Sequence, residues 1–499
     1  MLERYCDALI IGTEISGLIT AAFLARRGLT VQVIDLDPFA GNDKEPDPFC
    51  VAHLHSKLLR SILGRLNVPE NDIQFLSATG QPLQVIFPDK RIDVSPNPLT
   101  FYEELEREFP DLKEELKIFY ENLVSVKHKV DTQSFYSMMF PDGFSERRNF
   151  KKFIKSLELD KKLSTFNLPL EANPALKSFI LSQIKLLTYA HASEPFAYQV
   201  ADLINPSEGE ILSIRGGHNY LKKLFIDRIQ HHEGGYRPDA KIEQLLFKNG
   251  IFEGVRLAGI EGNILSRYVI WNSQIKPLAD FLPDLWRFRG LRKSIQKLEP
   301  DCHWFTAHFS VPTNFIPDPM HDNMLVIGNP AAPLEGTNYL YIQRKELNNA
   351  NTRLSVSYLL PKIELESPFE KFNKIHQEIL AILHNLIPFA EKQLVLQFPL
   401  PQNDEVTDTL FPLKDNDFEI FRQTAIEHAI YNLETADFSD LFPLSYKTPA
   451  PNFFVTSPEI LASLGYEGKY MLGLKVTDII WKDVEKEKKH AMKTERRIA

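Results

Sequence analysis

The chain has 499 residues, of which 43% are hydrophobic and 25% are charged, so it can bury a large core and form two or three domains. Its net charge is -9 with a pI near 5.9, and this acidic balance argues against nucleic acid as a partner. Cys6, Cys50 and Cys302 are widely separated without metal-ligand spacing, which predicts a reducing cytoplasm and no metal site.

The opening residues predict a strand, a helix and a second strand. Residues 8–11 are a continuous apolar run, as in a parallel strand covered on both faces. Apolar residues then recur at helical spacing from Leu18 to Ala25, and Gly28 follows as the end of the helix. The second strand covers residues 31–34 and ends at Asp35. A right-handed βαβ unit is therefore predicted.

The rest of the chain changes its periodicity twice. Residues 96–200 have helical spacing and predict a helical insertion or cap. Strands return near residue 242, where Asn249-Gly250 between apolar runs predicts a hairpin. Residues 300–361 alternate like a second sheet, and residues 369–386 have helical spacing. From Lys482 onward the residues are highly charged with both signs, which predicts a solvated helix end or a frayed tail.

The turn after the first strand has two of the three glycines of a dinucleotide-binding loop. Such loops read G-x-G-x-x-G, whereas this one reads Gly12-Thr-Glu14-Ile-Ser-Gly17. The first glycine allows the tight turn and the third allows close packing, while the second lets the backbone approach a pyrophosphate. Asp35 stands 23 residues after Gly12, where an acid binds a ribose hydroxyl. The pattern predicts the dinucleotide-binding fold with a damaged phosphate site.

The expected damage can be estimated from Coulomb's law. A carboxylate at Glu14 about 4 Å from a phosphate charge opposes binding by about 4 kcal/mol at an effective dielectric constant of about 20. This corresponds to roughly three orders of magnitude in affinity. The side chain could rotate outward or take up a proton, but its Cβ would still hold the backbone away from the ligand.

A distant segment extends the likeness to a known family. Residues 216–272 contain a Gly-Gly turn, a helix with paired leucines, a second Gly-Gly pair, a strand at Ile242 and the closing run Val269–Asn272. With the N-terminal unit, this resembles the phytoene desaturase, carotenoid isomerase and retinol saturase branch of the FAD-dependent amine-oxidase-like superfamily. The resemblance implies an α/β fold in which a Rossmann-like FAD/NAD(P)-binding domain carries an inserted sheet-plus-helix substrate domain.

The resemblance also implies the domain limits. The discontinuous dinucleotide-binding (FAD-type) domain is predicted at residues 1–95, 200–275 and 440–499. The substrate or helical cap domain is predicted at residues 96–199 and 276–439. FAD is the implied cofactor, and the implied ligand is a long apolar isoprenoid or lipid.

Two further departures from the family concern the cofactor. Asp37 stands where the family places a basic residue, and only Gly41 survives of the Gly-Gly pair that follows. Near the C-terminus, glycines persist at altered spacing, and Glu459 is the implied replacement for the family's acid. The candidate cofactor-binding residues are Gly12, Thr13, Glu14, Ile15, Ser16, Gly17, Asp35, Gly41, Ile242 and Glu459, and no catalytic residue or metal ligand is identified.

Two functional hypotheses follow. In the first, cofactor binding is impaired and the fold holds an apolar small molecule or a lipidated partner, as in the Rab GDP-dissociation inhibitors, which the chain also resembles. In the second, the protein is an active FAD-dependent desaturase, isomerase or saturase that acts on a polyene or lipid. The 35 phenylalanines fit either an aromatic core or a tunnel for an apolar ligand. Peripheral membrane contact stays open, and the oligomeric state is not predicted.

Overall fold

The computed structural model describes most of the chain. The described residues are 4–36, 51–53, 56–76, 83–95, 97–130, 138–141, 144–188, 190–191, 194–204, 211–213, 217–238, 240–348, 350–361, 370–390, 392–398, 426–432, 438–441 and 444–498.

The described strands and helices are numbered in chain order. The strands are β1 Arg4–Ile11, β2 Val31–Ile34, β3 Val51–His53, β4 Leu83–Ile86, β5 Arg91–Val94, β6 Ala190–His191, β7 Ile211–Ser213, β8 Gly235–Arg237, β9 Ile242–Lys248, β10 Ile251–Leu257, β11 Asn263–Trp271, β12 Pro300–Pro312, β13 Asn323–Ile327, β14 Gly336–Glu346, β15 Asn351–Pro361, β16 Val395–Phe398, β17 Ile426–Asn432 and β18 Phe453–Val455. The helices are α1 Ile15–Arg26, α2 Lys57–Arg65, α3 Glu70–Leu76, α4 Pro98–Glu108, α5 Lys113–Val130, α6 Phe144–Ser156, α7 Pro174–Leu187, α8 Ala197–Leu203, α9 Gly217–His231, α10 Leu278–Phe281, α11 Arg289–Lys297, α12 Glu370–Leu386 and α13 Gly465–Ile498.

The first sheet contains the predicted βαβ unit. Its strand order is β8-β2-β1-β11-β10-β9, and β18 also pairs with β11. β1 lies between β2 and β11 and is parallel to both. Ala8, Leu9, Ile10 and Ile11 are fully buried in a core to which α1 contributes Leu18, Ile19 and Ala22. The predicted order of strand, helix and strand is confirmed.

The predicted hairpin joins β9 and β10. Asn249 has a φ of 52° and Gly250 a φ of 76°, the backbone conformation that a two-residue hairpin turn requires. A Cβ at Gly250 would lie 2.3 Å from Nη1 of Arg287, so the glycine also makes room for a guanidinium group.

The second sheet has the order β5-β4-β13-β14-β15-β12-β17-β6, and β16 also pairs with β12. One face packs against α4, α5, α7 and α8, and the other packs against α12. β4 and β5 belong to this sheet because β4 pairs in parallel with β13. Residues 83–94 therefore lie with the second sheet, which differs from the predicted domain limit at residue 95. Residues 278–297 pack on the core of the first sheet, although they fall in the segment assigned to the substrate domain.

Aromatic side chains pack on one another beside the second sheet. Phe101 and Tyr120 have ring centroids 5.1 Å apart, and Phe119 and Phe166 have ring centroids 5.2 Å apart. Within the described part of the chain, these phenylalanines form a core, which supports the first of the two interpretations of the high phenylalanine content.

The long C-terminal helix α13 crosses α1 at close range. A Cβ at Gly473 would lie 2.5 Å from the backbone oxygen of Ser16, so this glycine allows the two helices to touch. The helix continues to Ile498, and residues 485–492 are exposed, as predicted for a solvated helix end. None of the described helices combines the length and the apolar composition needed to cross a membrane.

Candidate dinucleotide-binding site

Asn272 fills the inside of the turn between β1 and α1. It directly follows β11 and is completely buried. Its Nδ2 donates to the backbone oxygens of Gly12 (3.1 Å) and Glu14 (2.7 Å), and its Oδ1 accepts from the N–H of Gly17 at 2.8 Å. One of the free N–H groups at the start of α1 is therefore already paired with the protein.

The two remaining glycines of the fingerprint make room for this asparagine. Gly12 has a φ of 103°, and a Cβ there would lie 2.3 Å from the backbone oxygen of Asn272. A Cβ at Gly17 would lie 2.2 Å from Cγ of the same asparagine. Both positions therefore need glycine for internal packing, whether or not a ligand is bound.

The predicted ribose acid is engaged by two hydroxyl groups. Thr13 Oγ1 donates to Asp35 Oδ1 at 3.1 Å, and the Tyr236 hydroxyl donates to Asp35 Oδ2 at 2.8 Å. Asp35 is only 1% exposed. Each carboxylate oxygen thus has a partner within the protein, and almost none of the group faces solvent.

Glu14 forms an ion pair with a lysine of the C-terminal helix. It is the N-cap of α1, but its side chain makes no capping hydrogen bond. Its Oε2 instead accepts from Lys469 Nζ at 2.9 Å. The side chains of Glu14 and Lys469 are 18% and 4% exposed, so the pair is largely removed from water.

The surroundings keep Glu14 ionised. Burial alone would raise the pKa of its carboxyl group, but the charges of Lys469, His218 and Lys222 outweigh burial and hold the pKa well below its usual value. Glu14 therefore does not avoid the unfavourable charge by taking up a proton. The carboxylate is instead neutralised by a neighbouring ammonium group.

Glu459 lies in the short 3-10 segment Pro458–Leu464 that connects β18 to α13. Its Oε1 accepts from the N–H of Ile275 and from the Tyr431 hydroxyl, both at 3.2 Å. Burial raises the pKa of this carboxyl to about 7, and the nearby charge of Glu14 adds to the rise. Two acidic groups with opposite pKa shifts thus lie near one another in this region.

Several buried polar atoms of this region have no hydrogen-bond partner within the described residues. They are Ser16 Oγ in the first turn of α1, Ser457 Oγ after β18, and Glu459 Oε2. Buried polar groups are almost always paired in folded proteins, so such atoms often indicate a missing ligand or water. Thr456, beside Ser457, donates to Asn272 Oδ1 at 2.9 Å and connects this segment to the turn.

The remaining candidates occupy less direct positions. Ile15 is fully buried as the first residue of α1. Ile242 is half-buried at the start of β9 and packs on the core of the first sheet. Two residues earlier, the N–H of Ala240 donates to the backbone oxygen of Asp35 at 2.9 Å. Gly41 and Asp37 lie outside the described residues.

Three further residues of this region have weak signals or none in the sequence. Asn272 could have been found from its place directly after a buried parallel strand, since such strand ends meet at one edge of the sheet. Lys469 is a lone cation in the first turns of α13, where the helix dipole disfavours positive charge. Tyr236 carried no signal, because the sequence does not show that β8 pairs with β2 beside Asp35.

Comparisons with solved structures place this geometry in a known fold. An oxidoreductase from Methanosarcina mazei has a TM-score of 0.57 at 12% identity, with 95% of this chain and 100% of that chain covered. A putrescine oxidase variant has a TM-score of 0.58 at 14% identity, covering 97% and 100%. Cyclohexylamine oxidase from Brevibacterium oxydans has a TM-score of 0.54 at 14% identity, covering 96% and 99%.

The chain therefore shares the α/β fold of these solved oxidoreductases and oxidases, with a Rossmann-like domain and an inserted sheet-plus-helix domain. The fold prediction is confirmed. No protein-family model matches the sequence, and no curated protein matches it. At identities of this size the likeness defines the fold alone.

Proposed function

We propose that this chain is a phytoene-desaturase-like protein with impaired cofactor binding, which uses the oxidoreductase fold to hold a long apolar isoprenoid or lipid. The observation that carries the first half is the state of Asp35. Its two carboxylate oxygens are taken by Thr13 and Tyr236, and it is 1% exposed. Each oxygen keeps a second acceptor site, but the group is so fully enclosed that the ribose hydroxyls of FAD could reach it only if the surrounding side chains moved.

The diphosphate end of the site supports the same conclusion. The N–H of Gly17 is taken by Asn272, and the carboxylate of Glu14 stands at the start of α1 where a phosphate would need to approach. In the usual pose, the diphosphate of FAD would therefore have to break the ion pair between Glu14 and Lys469, and it would find the N–H of Gly17 already paired. We infer that these residues do not fit the cofactor in that pose.

The second half of the proposal rests on the family resemblance. Members of the resembled branch handle long apolar molecules, and the Rab GDP-dissociation inhibitors bind lipids attached to proteins. An apolar ligand could thus arrive as a free small molecule, as part of a lipidated partner, or from a membrane surface. The acidic net charge of -9 does not favour nucleic acid.

The experiment examines what the protein carries when purified. The full chain is expressed with added riboflavin, and its visible absorption spectrum is recorded before organic extraction and mass spectrometry of the extract. The proposal expects a colourless preparation with a lipid or isoprenoid in the extract. A flavin absorption band with FAD released on denaturation would contradict the first half, and an extract without any apolar compound would contradict the second.

One observation favours the alternative of an active FAD-dependent oxidoreductase. The buried, unpaired oxygens of Ser16, Ser457 and Glu459 within the described region are groups that a bound molecule could satisfy. Under this alternative the protein takes up FAD on reconstitution, and the Ser457→Ala variant takes up less. Reconstitution that leaves the protein free of flavin would exclude it.

A further inference from the structure

Three helices begin around the carboxylate of Glu14. It caps α1 (12 residues), and Lys469 in the first turns of α13 donates to it at 2.9 Å. α9 (15 residues) begins beside α13, since His218 Nδ1 lies 2.7 Å from the Tyr466 hydroxyl. His218 and Lys222 of α9 also act electrostatically on Glu14. Each helix N-terminus carries roughly half a positive charge.

Positive charge surrounds the Glu14 carboxylate, while Glu467 in the first turn of α13 and the buried Glu459 also bring carboxyl groups to this region. The three helix ends contribute together roughly 1.5 positive charges, and Lys469 adds a full charge on a side chain that is 4% exposed. A buried ammonium group needs an anion beside it, and the first turn of a helix is an unfavourable place for a cation. Glu14 provides such an anion at 2.9 Å. Ser16 Oγ, in the first turn of α1, is buried without a partner in the described region.

We propose that the Glu14 carboxylate is the resident anion of a phosphate-type site formed by three helix N-termini and Lys469. The carboxylate of Glu14 thus supplies, at the start of α1, the negative charge that a bound diphosphate would otherwise supply. This inference rests on the proposed function and deepens it. Glu14 and Lys469 act as one unit: the first excludes an external anion, and the second would bind one if the carboxylate were removed.

The pair can be separated by substitution. Glu14→Gly removes the carboxylate and the Cβ that lie beside the buried ammonium group of Lys469. Inorganic pyrophosphate is the probe, and its effect on the melting temperature and its affinity by calorimetry are measured at constant ionic strength. We expect Glu14→Gly to melt lower than the wild type, and pyrophosphate to restore its melting temperature. Its affinity for pyrophosphate should exceed that of the wild type by between about tenfold and about a thousandfold.

Three further variants make the test specific. Glu14→Gln removes the charge but keeps the size of the side chain, and it should also gain pyrophosphate binding. Adding Lys469→Met to either variant should abolish that gain. Glu158→Gln disrupts an exposed ion pair of the same 2.9 Å length with Lys161 and should show no response to pyrophosphate.

The outcomes distinguish this inference from the proposed function. Equal pyrophosphate affinity of the wild type and Glu14→Gly, or a folded Glu14→Gln that ignores pyrophosphate, would overturn the inference. So would failure of both single variants to fold even with pyrophosphate, if the double variant Glu14→Gln and Lys469→Met folds. None of these results bears on FAD in the wild type, whereas a yellow wild-type protein overturns the proposed function itself.

Discussion

Replacing Glu459 with glutamine should change how the stability of the protein depends on pH. Burial raises the pKa of this carboxyl from 4.5 to about 7 in the folded protein, with Glu14 adding to the effect. At about 1.4 kcal/mol per pH unit, this shift corresponds to about 3 kcal/mol. The folded state prefers the protonated group, so the stabilisation is fully present below pH 4.5 and is lost as the pH rises through about 7.

The assay is urea unfolding followed by tryptophan fluorescence at a series of pH values. The wild type should lose up to about 3 kcal/mol of unfolding free energy between pH 4.5 and about 7, and Glu459→Gln should lack this decline. Glu103→Gln, at an exposed position of α4, is the matched control and should follow the wild type. The lowered pKa of Glu14 acts only below its ordinary value of 4.5, so the two groups do not overlap. Identical pH slopes for the wild type and Glu459→Gln would refute the reasoning.

Two predictions concern the turn and its packing. Asn272→Ala should lower the free energy of unfolding, measured in urea, by about 2 to 4 kcal/mol, because buried groups of the turn lose their hydrogen-bond partners. The control Asn263→Ala should change it by less than about 0.5 kcal/mol. Equal urea midpoints for the two variants would contradict the role of Asn272 in holding the turn. Gly473→Ala should destabilise by about 1 to 3 kcal/mol, since its Cβ would lie 2.5 Å from the oxygen of Ser16. Gly290→Ala, with open space around its Cβ, should be neutral or stabilise by up to about 1 kcal/mol, and thermal melting that ranks the two glycines otherwise would refute the helix contact.

The elements of the first domain could be predicted because their signals are local. An apolar run, a helical repeat from Leu18 to Ala25 and an Asn-Gly turn each report on a few neighbouring residues, and the structure confirms all three. The membership of β4 and β5 in the second sheet is different. The pairing of β4 with β13 joins residues more than two hundred positions apart, and the alternation of residues within a strand does not indicate which strand it pairs with.

The candidate site was predictable in its residues but not in their contacts. The fingerprint identified Glu14 and Asp35, and it predicted that Glu14 would be the anomaly. It could not show that Lys469 lies 2.9 Å from Glu14, because the two residues are 455 positions apart. The full Coulomb repulsion of a phosphate applies to a lone carboxylate, whereas Glu14 is half of an ion pair. Likewise, the hydroxyl of Tyr236 on Asp35 follows from the pairing of β8 with β2.

Titration of FAD into the purified full-length chain by isothermal calorimetry tests the central claim most directly. With Asp35 enclosed by Thr13 and Tyr236 and Glu14 standing at the start of α1, we expect no saturable binding. Saturable binding of one FAD per chain, with an adenine dinucleotide located over residues 12–17 in a structure of the complex, would contradict the account.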